Sequence, residues 1–154
     1  MIGETQGVTM PDPETVVFVC EHGSAKSVLA MALFTQLAKE RGLPLRAISR
    51  GTTPDPGVPA AVRDGLRADG FELRAFTPAQ FADSDLAGAV AVVSFDQPGV
   101  ARTVAGRVPT RTWDGLPAVS ENYGLAREAI RRRVVDLIDA LGKGHGFQSV
   151  PGAE

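Results

Sequence analysis

The stretch of sequence that decides the fold reads TVVFVC EHGSAKS VLAMALF over residues 15–34. It opens with five β-branched or aromatic residues that end at Cys20, a pattern that predicts a buried strand. A short polar loop with Gly23 and Lys26 follows, and the apolar residues after it predict a helix. A thiol between a strand end and a helix start lies where backbone N–H groups and the helix dipole favour negative charge. The stretch therefore predicts a site for a thiolate and an oxyanion.

Composition and net charge indicate which class of protein the chain belongs to. The 154 residues are 44% hydrophobic and have a formal net charge of −2, which is typical of one globular domain and unfavourable for a general nucleic-acid binder. Cys20 is the one cysteine, so no intramolecular disulfide can form, as suits a reducing cytoplasm. The first residues lack the pattern of a signal peptide, and no apolar run approaches the ~18 residues that span a membrane. We expect a cytoplasmic protein without nucleic-acid or membrane partners.

Strand and helix patterns alternate along the chain. We expect flexible tails at residues 1–13 and 143–154 and a single domain at residues 14–142. Strand patterns fall at residues 15–20, 45–49, 89–95 and 111–113, and helix patterns fall at residues 26–41, around Val62 and Leu66, and from Ala126 to Leu141. Thr77–Gln80 resembles a capping box and predicts a further short helix through about Ser84. This alternation predicts a three-layer α/β fold with a parallel sheet.

Polar residues come at the ends of the predicted strands. Cys20 ends the first, Ser49 and Arg50 end the second, Asp96 follows the third and Asp114 follows the fourth. Because ligands of open α/β sheets bind at the carboxyl ends of the strands, we expect a single mouth at this edge. Arg50 is expected to reach an oxyanion there.

These residues resemble a known family. Cys20, the five residues after it, Lys26 and Ser27 are similar to the Cys-x5-Arg-Ser/Thr signature of low-molecular-weight protein tyrosine phosphatases and of the arsenate reductases, thioredoxin- or mycothiol-linked, that share their fold. Ser49–Gly51 falls where the family has a Ser-Ala-Gly-like turn, and the Trp113–Pro117 stretch falls at its Asp-Pro acid loop. The resemblance covers about residues 15–141 and implies a four-stranded parallel sheet in the order 2-1-3-4.

The resemblance also implies roles for individual residues. Cys20 would be the nucleophile, Ser27 would donate a hydrogen bond to its thiolate, and Asp114 would be the nearest candidate for the catalytic acid. The backbone N–H groups that would cradle the oxyanion belong to Glu21, His22, Gly23, Ser24, Ala25, Lys26 and Ser27. His22 resembles the arsenate-reductase branch more than the phosphatase branch. No metal or organic cofactor is expected.

Two positions depart from the family pattern. Lys26 stands where the family has arginine, and a lysine offers a compact point charge in place of a planar fork that grips two oxygens. Leu116 stands where the family has the aspartate before proline. Without that proton donor, hydrolysis could lose roughly 10²–10⁴-fold in rate. Asp114, Glu121 or His22 could substitute, and the sequence leaves the three open.

The expected function is cysteine-dependent hydrolysis of phosphate monoesters, phosphotyrosine or a small aryl phosphate, through a phosphocysteine intermediate. One alternative is arsenate reduction, which would need an external thiol because the chain has no second cysteine. Another is a non-catalytic binder of oxyanions or phosphopeptides. A magnesium-dependent nucleotide loop fits poorly, since Ala25 stands where that motif requires glycine. The partner in each remaining case is a tetrahedral oxyanion of the phosphate or arsenate type.

Overall fold

The computed structural model describes residues 14–104 and 106–142, and the tails predicted at residues 1–13 and 143–154 lie outside them. The strands are β1 (Glu14–Cys20), β2 (Leu45–Gly51), β3 (Ala89–Phe95) and β4 (Thr110–Trp113). The α-helices are α1 (Lys26–Glu40), α2 (Ala60–Ala68), α3 (Pro98–Val104) and α4 (Tyr123–Gly142), and a 3₁₀ helix spans Asp83–Leu86. None of the helices within these ranges is long and apolar enough to cross a membrane.

The four strands form one parallel sheet in the order β2-β1-β3-β4. Cys20 is in register with Gly51, and Phe95 with Trp113, so the carboxyl ends of the strands meet at one edge. This confirms the predicted α/β class, the parallel pairing and the strand order.

The central strand β1 is buried on both faces, as its unbroken apolar run predicts. Val16, Phe18 and Cys20 pack into a core shared with α1, α2 and α4, whereas Val17 and Val19 pack against α3. The result is three layers, with Cys20 at the end of the middle one on the face toward α1. The alternation of side chains along β1 therefore sets the direction of the thiol.

The helix predicted from Thr77 to about Ser84 is wrong. The Gly51 N–H donates to the Ala79 carbonyl, and the Phe81 N–H donates to the Gly51 carbonyl, both at 2.9 Å. This stretch thus pairs with the end of β2. The helical turn starts later, where the Asp85 carboxylate accepts the Ala82 N–H at 2.9 Å. Tertiary pairing outweighed a local capping signal.

Candidate active site

The cysteine loop, residues 20–27, joins β1 to α1, and its first carbonyl groups bond to the segment that follows β2. The carbonyls of Cys20, Glu21 and His22 accept the N–H groups of residues 52, 53 and 55 at 3.1, 2.7 and 3.0 Å. In contrast, within the ranges that the structure describes, the N–H groups of residues 21–25 donate no hydrogen bond. Successive unengaged N–H groups at the start of a helix form an anion-binding concavity.

Two glycines allow the loop to lie against β2. Gly23 has a left-handed φ of 62°, which favours glycine. A Cβ on Gly51 would lie 2.8 Å from the Gly23 nitrogen, closer than real Cβ atoms come to a backbone atom. The close approach of these two backbones therefore requires glycine on both sides.

A pair of buried serines lies beneath the thiol. Cys20 Sγ is 3.0 Å from Ser27 Oγ, which is 2.7 Å from Ser49 Oγ. Both serines are fully buried, and Cys20 keeps 8% of its surface exposed. When Cys20 is ionised, the Ser27 hydroxyl can donate to the sulfur while accepting the hydroxyl proton of Ser49. Hydroxyls placed in this way can donate to a thiolate and hold it in position.

Lys26 forms an ion pair at the mouth. Its Nζ lies 3.2 Å from Asp96 Oδ2, and its side chain is only 20% exposed. The other oxygen of Asp96 accepts the Gly115 N–H at 3.0 Å. The Asp96 N–H in turn donates to Asp114 Oδ1 at 3.0 Å. The loops after β3 and β4 are therefore joined beside the one lysine of the cysteine loop.

His22 lies on the outer rim, with its side chain 53% exposed. Its Nδ1 is 3.3 Å from Asp55 Oδ1 and 3.3 Å from the Thr53 carbonyl oxygen. Asp55 also accepts the hydroxyl of buried Ser24 at 2.9 Å. These contacts attach the outer part of the cysteine loop to the segment after β2.

A cavity of about 270 Å³ opens above the thiol. Its wall comprises loop residues, the start of α2, the end of β3 and the segment after β4. The lining residues are Cys20, Glu21, His22, Ala25, Lys26, Pro59, Ala61, Val62, Phe95, Asp96, Gln97, Ala118, Val119 and Ser120.

The α2 wall of this cavity is fixed to α4 by Tyr123. A Cβ on Gly65 would lie 2.5 Å from the Tyr123 ring, so α2 can approach α4 only through a glycine. The Tyr123 hydroxyl donates to Asp69 at 2.9 Å, and Arg127 pairs with the same carboxylate at 2.9 Å. Burial, followed by the hydrogen bond to Asp69 and its charge, raises the pKa of Tyr123 well above its ordinary value.

The structure brings the residues of the cysteine loop together and leaves other sequence candidates outside. Arg50 pairs with Asp85 at 3.1 Å and does not line the cavity, because side-chain alternation puts it on the opposite face of β2 from Ser49. The expectation that Arg50 reaches the mouth is therefore corrected. Asp114 and Glu121 do not line the cavity either. Leu116 packs against the core, so the position before Pro117 presents no proton donor.

Asp96 is a charged lining residue that the sequence placed at the mouth without assigning it a role. Its position directly after a buried strand indicated that it lies at the mouth. Its contact with Lys26 accompanies a left-handed φ of 57°, which the sequence does not predict. In the described ranges, no group of three or more His, Cys, Asp or Glu side chains could hold a metal ion.

The chain matches a known protein family. The model of the low molecular weight phosphotyrosine protein phosphatase family matches residues 15–109, more than half of the chain. The chain therefore belongs to that family, and by class it is a phosphatase-type hydrolase. The match ends before β4 and the segment that contains Leu116. No curated protein sequence matches.

Solved structures share the fold at low sequence identity. YfkJ of Bacillus subtilis is 19% identical with a TM-score of 0.74, covering 89% of this chain and 99% of its own. The YwlE arginine phosphatase of Geobacillus stearothermophilus is 21% identical with a TM-score of 0.67, covering 88% and 99%. The thioredoxin-dependent arsenate reductase of Corynebacterium glutamicum is 20% identical with a TM-score of 0.71, covering 88% of this chain and 64% of its own.

Proposed function

We propose that this protein hydrolyses phosphate monoesters through a covalent phosphocysteine on Cys20. One observation carries the proposal. The Cys20 sulfur, supported by two buried serine hydroxyls, lines a cavity together with Lys26, and the loop that contains both has five successive unengaged backbone N–H groups. These are the groups that a thiolate nucleophile and the equatorial oxygens of a phosphoryl group need.

The proposed reaction has two steps. The Cys20 thiolate attacks phosphorus, the S–P bond forms, and the bond to the ester oxygen breaks, so the alcohol or phenol leaves with its electron pair. Water then attacks phosphorus, the S–P bond breaks, and inorganic phosphate leaves while the thiolate is restored. The N–H groups of residues 21–25 and the Lys26 ammonium stabilise the charge on the phosphoryl oxygens in both steps.

The cavity walls support an aryl ester as the substrate. Val62, Phe95 and Val119 give the cavity apolar surface beside the sulfur, which suits the ring of a phosphotyrosine or a small aryl phosphate. Leu116 provides no acid, Asp114 and Glu121 lie outside the cavity, and His22 lies on its exposed outer rim, so we expect the leaving group to depart with little protonation. We therefore expect hydrolysis to favour esters whose alcohols are already acidic.

Hydrolysis of 4-nitrophenyl phosphate tests the proposal. Release of nitrophenol should proceed in the presence of a metal chelator and be abolished in Cys20→Ser, whereas Ser84→Ala, a change on the 3₁₀ helix, should leave the rate as it is. Full activity in Cys20→Ser, or a requirement for added magnesium, would show that a covalent cysteine is not the nucleophile.

Two alternative functions, arsenate reduction and non-catalytic oxyanion binding, can be distinguished from ester hydrolysis. Arsenate reduction by this chain would need an external thiol, because Cys20 has no second cysteine to resolve its adduct. It would be seen as arsenate-dependent oxidation of added thiol without ester hydrolysis. A non-catalytic binder would bind phosphate and turn over neither substrate. The lone reduced thiol also supports the cytoplasm as the site of action.

A further inference from the structure

Asp114 accepts a hydrogen bond that protonation of a leaving group would not require. Its Oδ1 accepts the backbone N–H of Asp96 at 3.0 Å, while Asp96 Oδ1 accepts the N–H of Gly115 at 3.0 Å. These two reciprocal bonds, which we term the aspartate clasp (Asp96, Asp114 and Gly115), join the loops that follow β3 and β4.

The clasp holds Asp96 in a conformation that the residue does not prefer. Its φ of 57° lies in the left-handed region, which L-residues adopt less readily than glycine does. The bond from Asp114 fixes the N–H of that same residue, and the bond from Gly115 fixes its side chain. Together they keep Oδ2 directed at Lys26, 3.2 Å away.

The aspartate clasp restrains the side chain of Lys26 through this contact. A lysine side chain has four rotatable bonds, so its ammonium is poorly positioned unless a partner restrains it. Asp96 takes one of the three N–H donors and leaves two for an oxyanion. An arginine would bring a rigid fork of its own, whereas Lys26 depends more on this neighbour for its orientation.

We infer that Asp114 is a positioning residue, which acts through Asp96 to orient Lys26, and that it is not the proton donor of the reaction. This inference rests on the proposed function in one respect, since it takes Lys26 to bind the phosphoryl oxygens. It assigns a role to the carboxylate that lies near the place of the family's acid but outside the cavity.

Two variants with the same charge separate positioning from acid catalysis. Asp114→Asn keeps an oxygen that can accept the Asp96 N–H, whereas Asp114→Ala removes it. Phosphate affinity is read from the protection of Cys20 against iodoacetate. We expect Asp114→Ala to bind phosphate roughly three- to ten-fold more weakly than Asp114→Asn, the size of one hydrogen bond. Asp136→Ala, which removes an exposed carboxylate on α4, should bind phosphate as the parent protein does.

Double variants at positions 114 and 26 show whether Asp114 affects phosphate binding through Lys26. If Asp114 acts through Lys26, the difference between alanine and asparagine at position 114 should vanish when Lys26→Ala is also present. Both variants should stay folded, and because Asp114 is exposed and one hydrogen bond is lost, the melting temperature of Asp114→Ala should lie within roughly 6 °C of that of Asp114→Asn.

Four results would overturn the inference. Equal phosphate affinity in the two Asp114 variants would show that the hydrogen bond from Asp96 to Asp114 does not affect phosphate binding. A difference that persists with Lys26→Ala would show that the clasp acts elsewhere. Equal and large losses of hydrolysis in Asn and Ala, confined to poor leaving groups, would make Asp114 the acid. If Lys26→Ala by itself leaves phosphate binding intact, Lys26 does not bind the phosphoryl oxygens and the inference fails. The proposed function fails separately, when Cys20→Ser still hydrolyses 4-nitrophenyl phosphate.

Discussion

Gly51→Ala is the substitution whose effect on the site can be worked out most directly. A Cβ at this position would lie 2.8 Å from the Gly23 nitrogen, 2.9 Å from the His22 carbonyl carbon and 3.0 Å from the Glu21 oxygen. All three are backbone atoms of the cysteine loop, so no side chain can swing aside. Gly51 cannot retreat either, because residues 79–81 bond to its N–H and its carbonyl. The cysteine loop must therefore move.

The expected cost follows from that overlap. Forcing an extra methyl into a packed region typically costs about 1–3 kcal/mol, which in a protein of this size lowers the melting temperature by roughly 2–12 °C. Displacing the loop should also lower kcat/KM for 4-nitrophenyl phosphate by about 10–100-fold, since misplacements of this size disturb the alignment of reacting groups.

The matched control is Gly57→Ala. Nothing lies within 4 Å of a Cβ there, and its φ is outside the left-handed region. Thermal unfolding and steady-state hydrolysis of both variants check the reasoning. A Gly51→Ala protein that melts and turns over like Gly57→Ala would refute the claim that the Gly23–Gly51 contact shapes the site.

Three further predictions concern the mouth and its scaffold. Lys26→Ala should weaken phosphate binding by roughly 10–150-fold, the range for loss of a charged hydrogen-bond partner. The control Lys39→Ala, on the exposed side of α1, should not weaken it. Equal phosphate affinities in the two variants would exclude Lys26 from the site. Ala118→Asp places a carboxylate on the cavity wall and should speed hydrolysis of alkyl phosphates by up to about 10²-fold, with little gain for 4-nitrophenyl phosphate; a similar gain from Ala118→Asn would contradict acid catalysis. Tyr123 is the chain's one tyrosine, and its raised pKa means that the folded protein should show no phenolate absorbance until well above pH 10. Since the phenol ionises near pH 10 only in the unfolded chain, the stability that it contributes should be lost as the pH rises above 10, and Tyr123→Phe should lessen that loss. Phenolate absorbance near pH 10 in the folded protein would contradict this expectation.

Local patterns were enough for the elements that are buried and periodic. The apolar run before Cys20 and the run at residues 89–95 predicted β1 and β3 to within a residue, because burial on both faces leaves no room for polar side chains. The strand order came from the family resemblance, since nothing within a single strand specifies its neighbour.

The parts that could not be predicted depend on contacts between distant segments. Residues 79–81 pair with the end of β2, which no capping signal reveals. The seven-residue helix α3 has too few residues for a helical period to stand out. The side to which Arg50 points, and the contact of Asp114 with Asp96, follow from register and from a left-handed backbone. The candidate nucleophile was therefore readable from the sequence, while the arrangement of charges around it was not.

Trapping the phosphorylated enzyme tests the central claim most directly. Because Cys20 is the single cysteine, acid quenching during turnover of 4-nitrophenyl phosphate, followed by peptide mass analysis, reads the intermediate at one position. We expect one phosphoryl group on the peptide that contains Cys20, formed no more slowly than steady-state turnover and absent from Cys20→Ser. Continued release of nitrophenol with Cys20 unmodified, under quench conditions that preserve a thiophosphate bond, would contradict it.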